Sequence, residues 1–529
     1  MRRTGCLGGS RSGGGRVLGG LVVLALGVVA GLGHEGPARA KPPAVASDWQ
    51  KIKAPPLRAF TPEKPRRVVL DNGLVIFLLP DRELPLVSVT IFGPGGSLGE
   101  PADKAGLAAL FGQSWRSGGT RTRSGDEIDE FLALRAAVVE SFADNDSVAI
   151  TANCLKGDFD DVFQIVAELL QAPEFRQDKL DLAKRQMMTR IARRNDSPQS
   201  ILQREALKLA YGAGHPFART PEYGTVAAVT REDLREWHKR YVQPNTLLLG
   251  LSGDFDADEM EAKLRKWLGG WPKGPGVPKG QFEFAPTKPG VYFVEKGDVN
   301  QANIQLVQLG TTRRNPDFYA LEVMNEVLGG GFSARLFSNV RSKKGLAYSV
   351  GGGVGLGWEY PATYRLAMGT ASKNVVQAVQ ALYDEVRGMV KNEATAEEVA
   401  RAKETILNSF VFNFESKASV LSDRMRLEFY GYPPDFTEKY PEAITKVTVE
   451  DVRRVAKKYL NPDGFAVLVV GKGAEFGAPL ASLGPVTALD ITIPPPPTAL
   501  AAPSPTASPV PPGGAAAPVV RPGTPKRGK

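Results

Sequence analysis

Histidine and cysteine are scarce in this sequence. Its 529 residues include three His and two Cys, and one of each lies within residues 1–40. If that segment is removed, Cys154 has no second Cys to pair with, which excludes an internal disulfide. Cys154 ends an alternating apolar stretch and is expected to be a buried small hydrophobe. His215 and His238 are 23 residues apart and lack ligand neighbours at zinc-site spacing, so we expect no metal site in this chain.

Concentrated positive charge is missing from the central part of the chain. The net charge is +9, but residues 1–40 carry five Arg against one Glu, and residues 476–529 carry four Lys or Arg against one Asp. About +2 remains for residues 41–475, without a basic cluster. A nucleic-acid surface needs basic residues gathered on one face of the folded body. We therefore expect no nucleic-acid partner.

The N-terminal segment has the composition of an export signal. Two Arg follow the first Met, residues 17–33 are apolar, and Ala-Arg-Ala at 38–40 matches a cleavage site. We expect residues 1–40 to be a signal peptide, which would place the protein in the periplasm or cell envelope. The alternative is an uncleaved membrane anchor, since the apolar run is close to the lower length limit of a membrane span.

Two further segments lack the periodicity of packed elements. Residues 41–65 are predicted to be a linker. Residues 476–529 are rich in Pro and Ala, with twelve Pro after residue 490. Such a composition cannot bury a core, so we predict a disordered tail.

An internal repeat organises the rest of the chain. Residues 229–255 and 447–473 include the following identical pairs, each 218 positions apart: Thr230 and Thr448, Asp233 and Asp451, Tyr241 and Tyr459, Pro244 and Pro462, Gly253 and Gly471. In both copies Thr-x-x-Asp predicts a capped helix start, and an apolar strand follows the Pro. The single offset indicates two homologous domains, at 66–280 and 286–475.

Both halves have the same predicted order of elements. Strands come first, at 67–79 and 86–93 in the first half and at 290–296 and 302–310 in the second, and long helices follow. A hairpin signal at 71–73 favours antiparallel pairing. We predict an α+β fold of two homologous domains, each a largely antiparallel sheet packed with helices.

Several motifs resemble the insulinase-like zinc peptidases, the family of pitrilysin, the mitochondrial processing peptidase and shorter bacterial relatives. The resemblance covers about residues 66–475. Its weaker elements are Gly106-Leu107-Ala108 and the short stretches at 119–120, 214–217, 241–246 and 253–255. Its strongest elements are LGGGFSARLF at 328–337 and VRSKKGLAYSV at 340–350. The family implies two domains that form one half of a clamshell.

The zinc motif of active relatives is absent. In those relatives Gly-Leu-Ala is followed by His-x-x-Glu-His, whose two His bind zinc while the Glu takes a proton from the metal-bound water. A more distant Glu completes the ligands. By this resemblance the four positions are Ala109, Gly112, Gln113 and Arg190. Arg cannot ligate a metal, and we expect its charge to substitute in part for the lost cation.

The second half keeps other family features. In relatives an Arg and a Tyr of this half hold the substrate near the scissile carbonyl, and by resemblance these are Arg341 and Tyr348. Both side chains can donate to a developing oxyanion. Gly329, Gly330 and Gly331 match a glycine-rich loop that belongs to the non-catalytic subunit of the processing peptidase. The alternatives are a solvated Arg, a packed Tyr and a helix C-cap followed by a turn.

The resemblance implies a non-catalytic, substrate-orienting subunit of an exported heterodimeric zinc metallopeptidase that acts on peptides or unfolded proteins. Zinc would be in the partner that carries His-x-x-Glu-His, with no cofactor in this chain, which should be inactive alone. One alternative is a peptide-binding or scaffolding pseudopeptidase of the cell envelope. A self-sufficient hydrolase would need a nucleophile with a base, and Ser114 and Ser117 have no His nearby in sequence.

Overall fold

The structure, a computed structural model, describes residues 62–496. The predicted signal peptide at 1–40, linker residues 41–61 and tail residues 497–529 lie outside this range. Within it, no helix combines the length and the apolar character needed to cross a bilayer.

The first half forms a six-stranded sheet. Its strands are β1 (Arg66–Val69), β2 (Val75–Pro80), β3 (Leu86–Pro94), β4 (Val138–Ala143), β5 (Ser147–Leu155) and β6 (Leu248–Gly253). Their spatial order is β1-β2-β6-β3-β5-β4, and β2 and β6 are the parallel pair. The helices are α1 (Leu107–Ser117), α2 (Gly125–Leu134), α3 (Phe159–Gln171), α4 (Gln177–Ala192), α5 (Pro198–Tyr211), α6 (Tyr223–Ala228), α7 (Arg231–Tyr241) and α8 (Ala257–Leu268).

The second half forms another six-stranded sheet. The strands are β7 (Gly290–Glu295), β8 (Ala302–Leu309), β9 (Thr311–Thr312), β10 (Ser349–Gly353), β11 (Leu356–Gly357), β12 (Thr363–Thr370), β13 (Ala466–Gly471) and β14 (Val486–Ala488). The sheet order is β10-β12-β8-β13-β7-β14, while β9 and β11 pair separately. The helices are α9 (Phe318–Asn325), α10 (Val375–Lys391), α11 (Ala396–Phe410), α12 (Lys417–Tyr430), α13 (Phe436–Lys446) and α14 (Val449–Tyr459). Two π-helical segments, Glu326–Gly330 and Leu336–Lys343, follow α9.

The internal repeat is visible in the topology. The order β2-β6-β3-β5-β4 matches β7-β13-β8-β12-β10, and in each run the first two strands are parallel and the others antiparallel. At the starts of α7 and α14, Thr230 and Thr448 each form a capping box with the Asp three residues later. The predicted α+β fold with two largely antiparallel sheets is confirmed.

The halves exchange one helix each. In the first half, α5 packs Ile201, Leu202 and Ala206 against the second sheet. In the second half, α12 packs Leu421 and Met425 against the first sheet. The apolar side chains of each exchanged helix are therefore buried only when both halves are folded together.

The start of the predicted tail requires a correction. Residues 486–488 form β14 along the edge of the second sheet, and the Leu489 N–H donates to the Phe293 carbonyl over 2.8 Å. The side chain of Leu480 is buried. The open edge of β7 supplies the hydrogen bonds for β14, so the Pro- and Ala-rich composition around it did not reveal the strand.

Candidate functional site

Helix α1 begins at a buried carboxylate. Glu100 accepts hydrogen bonds from the backbone N–H groups of Gly106 over 3.0 Å and of Ala108 over 2.6 Å. Burial raises the pKa of Glu100, although these two hydrogen bonds act in the opposite direction. The backbone of Gly106 has φ +104°, which favours glycine. These interactions set the position of the helix that carries the expected zinc-motif positions.

The four degenerate zinc-site positions lie close together. Ala109, Gly112 and Gln113 have the i, i+3, i+4 spacing of one face of α1. Arg190, near the end of α4, donates from Nη2 to Gln113 Oε1 over 3.4 Å. Gln113 Nε2 donates in turn to Gln186, one turn earlier on α4. The structure therefore brings Gln113 and Arg190 together across 77 residues of sequence.

Strand β4 occupies the space beside Gly112. A Cβ atom at Gly112 would lie 2.5 Å from the backbone N of Ala143 and 2.7 Å from the carbonyl carbon of Phe142. Ser141 Oγ donates to the Gly112 carbonyl over 2.6 Å and accepts from the Arg116 N–H over 3.0 Å. Ser141 thus bridges the two backbone groups that an uninterrupted helix would pair directly. No space remains for a glutamate side chain at this position.

The residues around this face do not fit zinc. Ala109 and Gly112 have no donor atom in a side chain, and Arg190 carries a positive charge. The carboxylates in the adjoining cavity of 460 Å³, Asp129 and Glu140, are ion-paired with Arg116. Across residues 62–496 no group of three His, Cys, Asp or Glu side chains could hold a metal ion. No zinc-dependent step can be assigned to this face.

The two described His have structural surroundings. His238 Nε2 lies 3.0 Å from the Leu170 carbonyl, and its ring packs against Phe111, Trp115 and Phe175. Burial lowers the pKa of His238 to about 4, so the ring is neutral at pH 7.

His215 stands within a second aromatic cluster. Its Nδ1 accepts from the Phe217 N–H over 3.2 Å, and its ring stacks on Tyr211. His238 therefore packs on Phe111 and Trp115 of α1, and His215 packs on Tyr211 of α5, so the two rings belong to separate aromatic clusters.

Arg341 and Tyr348 are neighbours at the surface of the second half. Arg341 lies in the second π-helical segment, and its guanidinium carbon is 4.4 Å from the centre of the Phe337 ring and 5.5 Å from that of Tyr348. Tyr348 is 82 % exposed. Cation–π attraction therefore holds the Arg beside the Tyr while the phenol remains open to solvent.

The glycine-rich stretch differs from the expected loop. Gly329 and Gly330 belong to the π-helical turn Glu326–Gly330, which continues α9. A Cβ at Gly329 would lie 2.3 Å from the Gly352 carbonyl oxygen of β10. Gly331 follows in an extended conformation at φ −159°. The first glycine is needed because the edge strand β10 packs directly on the helix, as β4 does at Gly112.

Several residues of these two regions were not predicted from the sequence. Phe332 is 79 % exposed and contacts Phe337 edge to face, with ring centres 4.8 Å apart. Its position directly after three Gly was the available signal. Gln186 stands four residues before Arg190, which a helical reading could have placed beside α1. No local signal marked Ser141.

The two Ser considered as nucleophiles have no base. Ser114 is buried, and its Oγ has no hydrogen-bond partner among residues 62–496. Ser117 Oγ donates to the Gln113 carbonyl over 2.8 Å. A hydroxyl activated for attack needs a hydrogen-bonded base, and neither Ser has one within residues 62–496.

Comparisons with known proteins match both halves. Residues 77–220 match the family model of insulinase, peptidase family M16, and residues 228–406 match the model of the peptidase M16 inactive domain. An uncharacterized zinc protease of Bacillus subtilis, YmxG, is 24 % identical over 77 % of this chain and 98 % of its own. A protein of Helicobacter pylori named non-peptidase homolog YmxG is 26 % identical over 71 % of this chain and 87 % of its own.

The fold also matches a solved structure. The crystal structure of a peptidase M16 inactive domain from Pseudomonas fluorescens superposes with a TM-score of 0.72 at 24 % identity. The match covers 79 % of this chain and 100 % of that one.

Proposed function

The chain belongs to peptidase family M16, the insulinase family, and on this premise we propose that it is the non-catalytic, substrate-orienting subunit of an exported zinc metallopeptidase. A second chain of the family, carrying His-x-x-Glu-His, would hold the zinc. The substrates would be peptides or unfolded proteins.

The proposal rests on the contacts of the Arg341 guanidinium and on the exposure of the Tyr348 ring. The Arg341 guanidinium rests on two aromatic rings and forms no ion pair with any carboxylate of residues 62–496. Tyr348 leaves most of its side chain in solvent. A structural role would satisfy the guanidinium with an acceptor or bury the ring. Donors that are positioned but unused are suited to a carbonyl oxygen brought by a substrate.

The sheet edges support a peptide as the substrate. Strands β4 and β10 stand at the free ends of their sheets, so the outer backbone groups of each lack a neighbouring strand among residues 62–496. An extended peptide can pair with such an edge through main-chain hydrogen bonds. On β4, Val138 and Phe142 are about half exposed and offer apolar contacts.

The surroundings of α1 support a non-catalytic role. Three of the four zinc-motif positions, Ala109, Gly112 and Arg190, have no side-chain atom that can ligate zinc, and β4 fills the space of the general base. One relative is itself named a non-peptidase homolog. The same features are compatible with a peptide-binding or scaffolding pseudopeptidase of the cell envelope, which would work without a zinc-bearing partner.

Capture from native cells separates the two functions. The tagged chain is purified from its own cells, and peptide hydrolysis is measured in the eluate with and without a zinc chelator, beside the pure chain alone. Chelator-sensitive hydrolysis only in an eluate that contains a second M16 chain supports the subunit. Peptide binding without a second chain or hydrolysis supports the pseudopeptidase instead. Hydrolysis by the pure chain would overturn both.

Point variants test the orienting residues in the captured pair. Arg341→Ala and Tyr348→Phe should each lower kcat/KM, by about 100-fold if each supplies one oxyanion donor. Arg387→Ala and Tyr383→Phe are matched controls, because that pair stacks at 5.2 Å on α10. The control variants should keep wild-type hydrolysis. Equal kcat/KM in the test and control variants would contradict the orienting role.

Export is tested at the N-terminus. Sequencing of the chain from native cells should begin at Lys41 if the signal is cleaved after Ala40. A chain that begins near residue 1 and sediments with membranes would indicate an uncleaved anchor.

A further inference from the structure

We propose that the second half binds a carboxylate carried on an aromatic or aliphatic group, in a cavity walled by α11, α12 and α13. The cavity has a volume of 680 Å³. Its apolar walls come from six side chains: Trp358, Ile406, Phe410, Phe414, Phe436 and Tyr440. None of them belongs to the regions described above. The inference therefore stands whether or not the proposed function holds.

Arg313 at this cavity has buried donors without acceptors. Its Nε and Nη1 atoms are buried and have no hydrogen-bond partner among residues 62–496. Its guanidinium carbon lies 4.5 Å from the centre of the Trp358 ring and 5.3 Å from that of Phe318. The rings stabilise the charge but provide no lone pair for the N–H groups. Buried donors are normally paired, so an acceptor from outside the described chain is expected.

A second cation stands beside Arg313. The Arg426 guanidinium carbon lies 5.6 Å from the centre of the same Trp358 ring. Neither Arg forms an ion pair with a carboxylate in the described part of the chain. Two positive groups at one ring repel each other, and a bound anion would remove that repulsion.

The carboxylates of the cavity are accounted for. Asp423 accepts a hydrogen bond from Thr437 Oγ1 over 2.7 Å, and burial raises its pKa. Glu415, at the rim, is exposed. Neither supplies the acceptor that Arg313 lacks. The charge of Glu322, outside the lining, also acts on Arg313, but Glu322 Oε2 accepts from the Tyr440 hydroxyl over 3.2 Å.

The apolar walls indicate that the part of the ligand attached to the carboxylate is apolar. A small inorganic anion would leave the aromatic surface unused, and a neutral aromatic molecule would leave the Arg donors unpaired. A carboxylate on an apolar group satisfies both. Two sources have this chemistry: the C-terminal residue of a peptide that ends in an apolar side chain, and a free apolar acid.

Titration calorimetry on the full chain tests the site. The probes are N-acetyl-phenylalanine and its amide, a heptapeptide that ends in Phe as acid and as amide, and decanoate. The acids should bind at least about tenfold more tightly than the matching amides, because the neutral amide cannot form an ion pair with Arg313. Tighter binding of the heptapeptide acid than of decanoate identifies a peptide C-terminus, and the reverse order identifies a free acid.

Variants link the binding to this cavity. Arg313→Met should lose binding of the acids by at least about tenfold. Arg387→Met, the matched Arg that stacks on Tyr383 outside the cavity, should bind as the wild type does. Ser422→Phe fills the cavity from α12 without removing a charge and should also abolish binding.

Three results would overturn the inference. They are equal affinity for acid and amide, unchanged binding in Ser422→Phe, and no binding of any acid at millimolar concentration. Circular dichroism checks that each variant folds. If Arg313→Met does not fold, Ser422→Phe and the acid-to-amide ratio decide.

Discussion

Replacement of Gly112 by Ala should destabilise the protein, although it removes a glycine from a helix. Gly112 is the sixth residue of the eleven in α1, where Ala is favoured over Gly by about 1 kcal/mol. In the structure the new Cβ would lie 2.5 Å from Ala143 N, 2.7 Å from Phe142 C and 3.0 Å from Phe142 Cα. All three contacts are with backbone atoms of β4, which cannot rotate away as a side chain can.

The two effects differ in size. Overpacking a filled site costs about 1–3 kcal/mol, and here the whole strand must shift, so we take the upper part of that range. After the helix gain is subtracted, Gly112→Ala should lower the free energy of unfolding by about 1–2 kcal/mol. Glu, the residue of active relatives, should cost more.

A matched glycine provides the control. Gly388 lies within α10, and a Cβ there would meet nothing within 4 Å. Gly388→Ala should therefore raise stability by about 1 kcal/mol. Urea unfolding followed by far-UV circular dichroism compares the two variants with the wild type, so the midpoints should move in opposite directions. If Gly112→Ala is as stable as the wild type or more stable, β4 does not block this position and the explanation of the lost glutamate is wrong.

Three further predictions concern other residues. Because burial lowers the pKa of His238 to about 4 from the ordinary 6.5, the unfolded state takes up this proton first as the pH falls. The wild type should lose stability as the pH falls from about 6.5 to 4. The urea midpoint of His238→Gln should fall less over this pH range, and an equal fall in both proteins would contradict the prediction. Burial raises the pKa of Cys154 to about 11, so a thiol reagent at neutral pH should label this residue only after unfolding in urea. Mass spectrometry locates the label, and labelling of Cys154 in the native protein would refute its burial. The triple variant Ala109→His, Gln113→His, Arg190→Glu should bind stoichiometric zinc in elemental analysis, because Gln113 and Arg190 are in contact. It should hydrolyse no peptide, because it has no general base at position 112. A variant without stoichiometric zinc would show that the three positions do not converge.

Local features were predictable because the groups that interact in them lie within a few residues of each other in the sequence. The capping boxes at Thr230 and Thr448 need only a hydroxyl and a carboxylate three positions apart, and both form. The burial of Cys154 follows from alternation along one strand and is confirmed. The parallel pairs within the two sheets and the exchange of α5 and α12 were not predicted. An amphipathic pattern indicates that one face of a helix is buried, but it does not indicate which sheet covers that face.

The candidate site divides in the same way. The resemblance to M16 peptidases named Ala109, Gly112, Gln113 and Arg190, and the 77-residue spacing paired the last two. It also named Arg341 and Tyr348, whose roles remain predictions. It could not name Ser141, since the register of β4 against β5 decides which side chain faces α1. It could not name Arg313 either. Arg313 and Trp358 are 45 residues apart in sequence, and they follow the two strands β9 and β11, which pair with each other.

The sequence by itself determined that His-x-x-Glu-His does not follow Gly106-Leu107-Ala108. Ala109, Gly112 and Arg190 have no side-chain atom that can ligate zinc, and no conformation can supply one at these positions. The internal repeat likewise determined that two similar sheets would form. Only the tertiary structure decided that the Gly112 face is closed by β4 and that Arg341 lies beside an exposed Tyr348. It also decided that Arg313 faces a cavity in which its Nε and Nη1 find no acceptor among residues 62–496. These outcomes depend on how distant backbone segments approach each other, and distances between such segments are set by packing rather than by any local pattern.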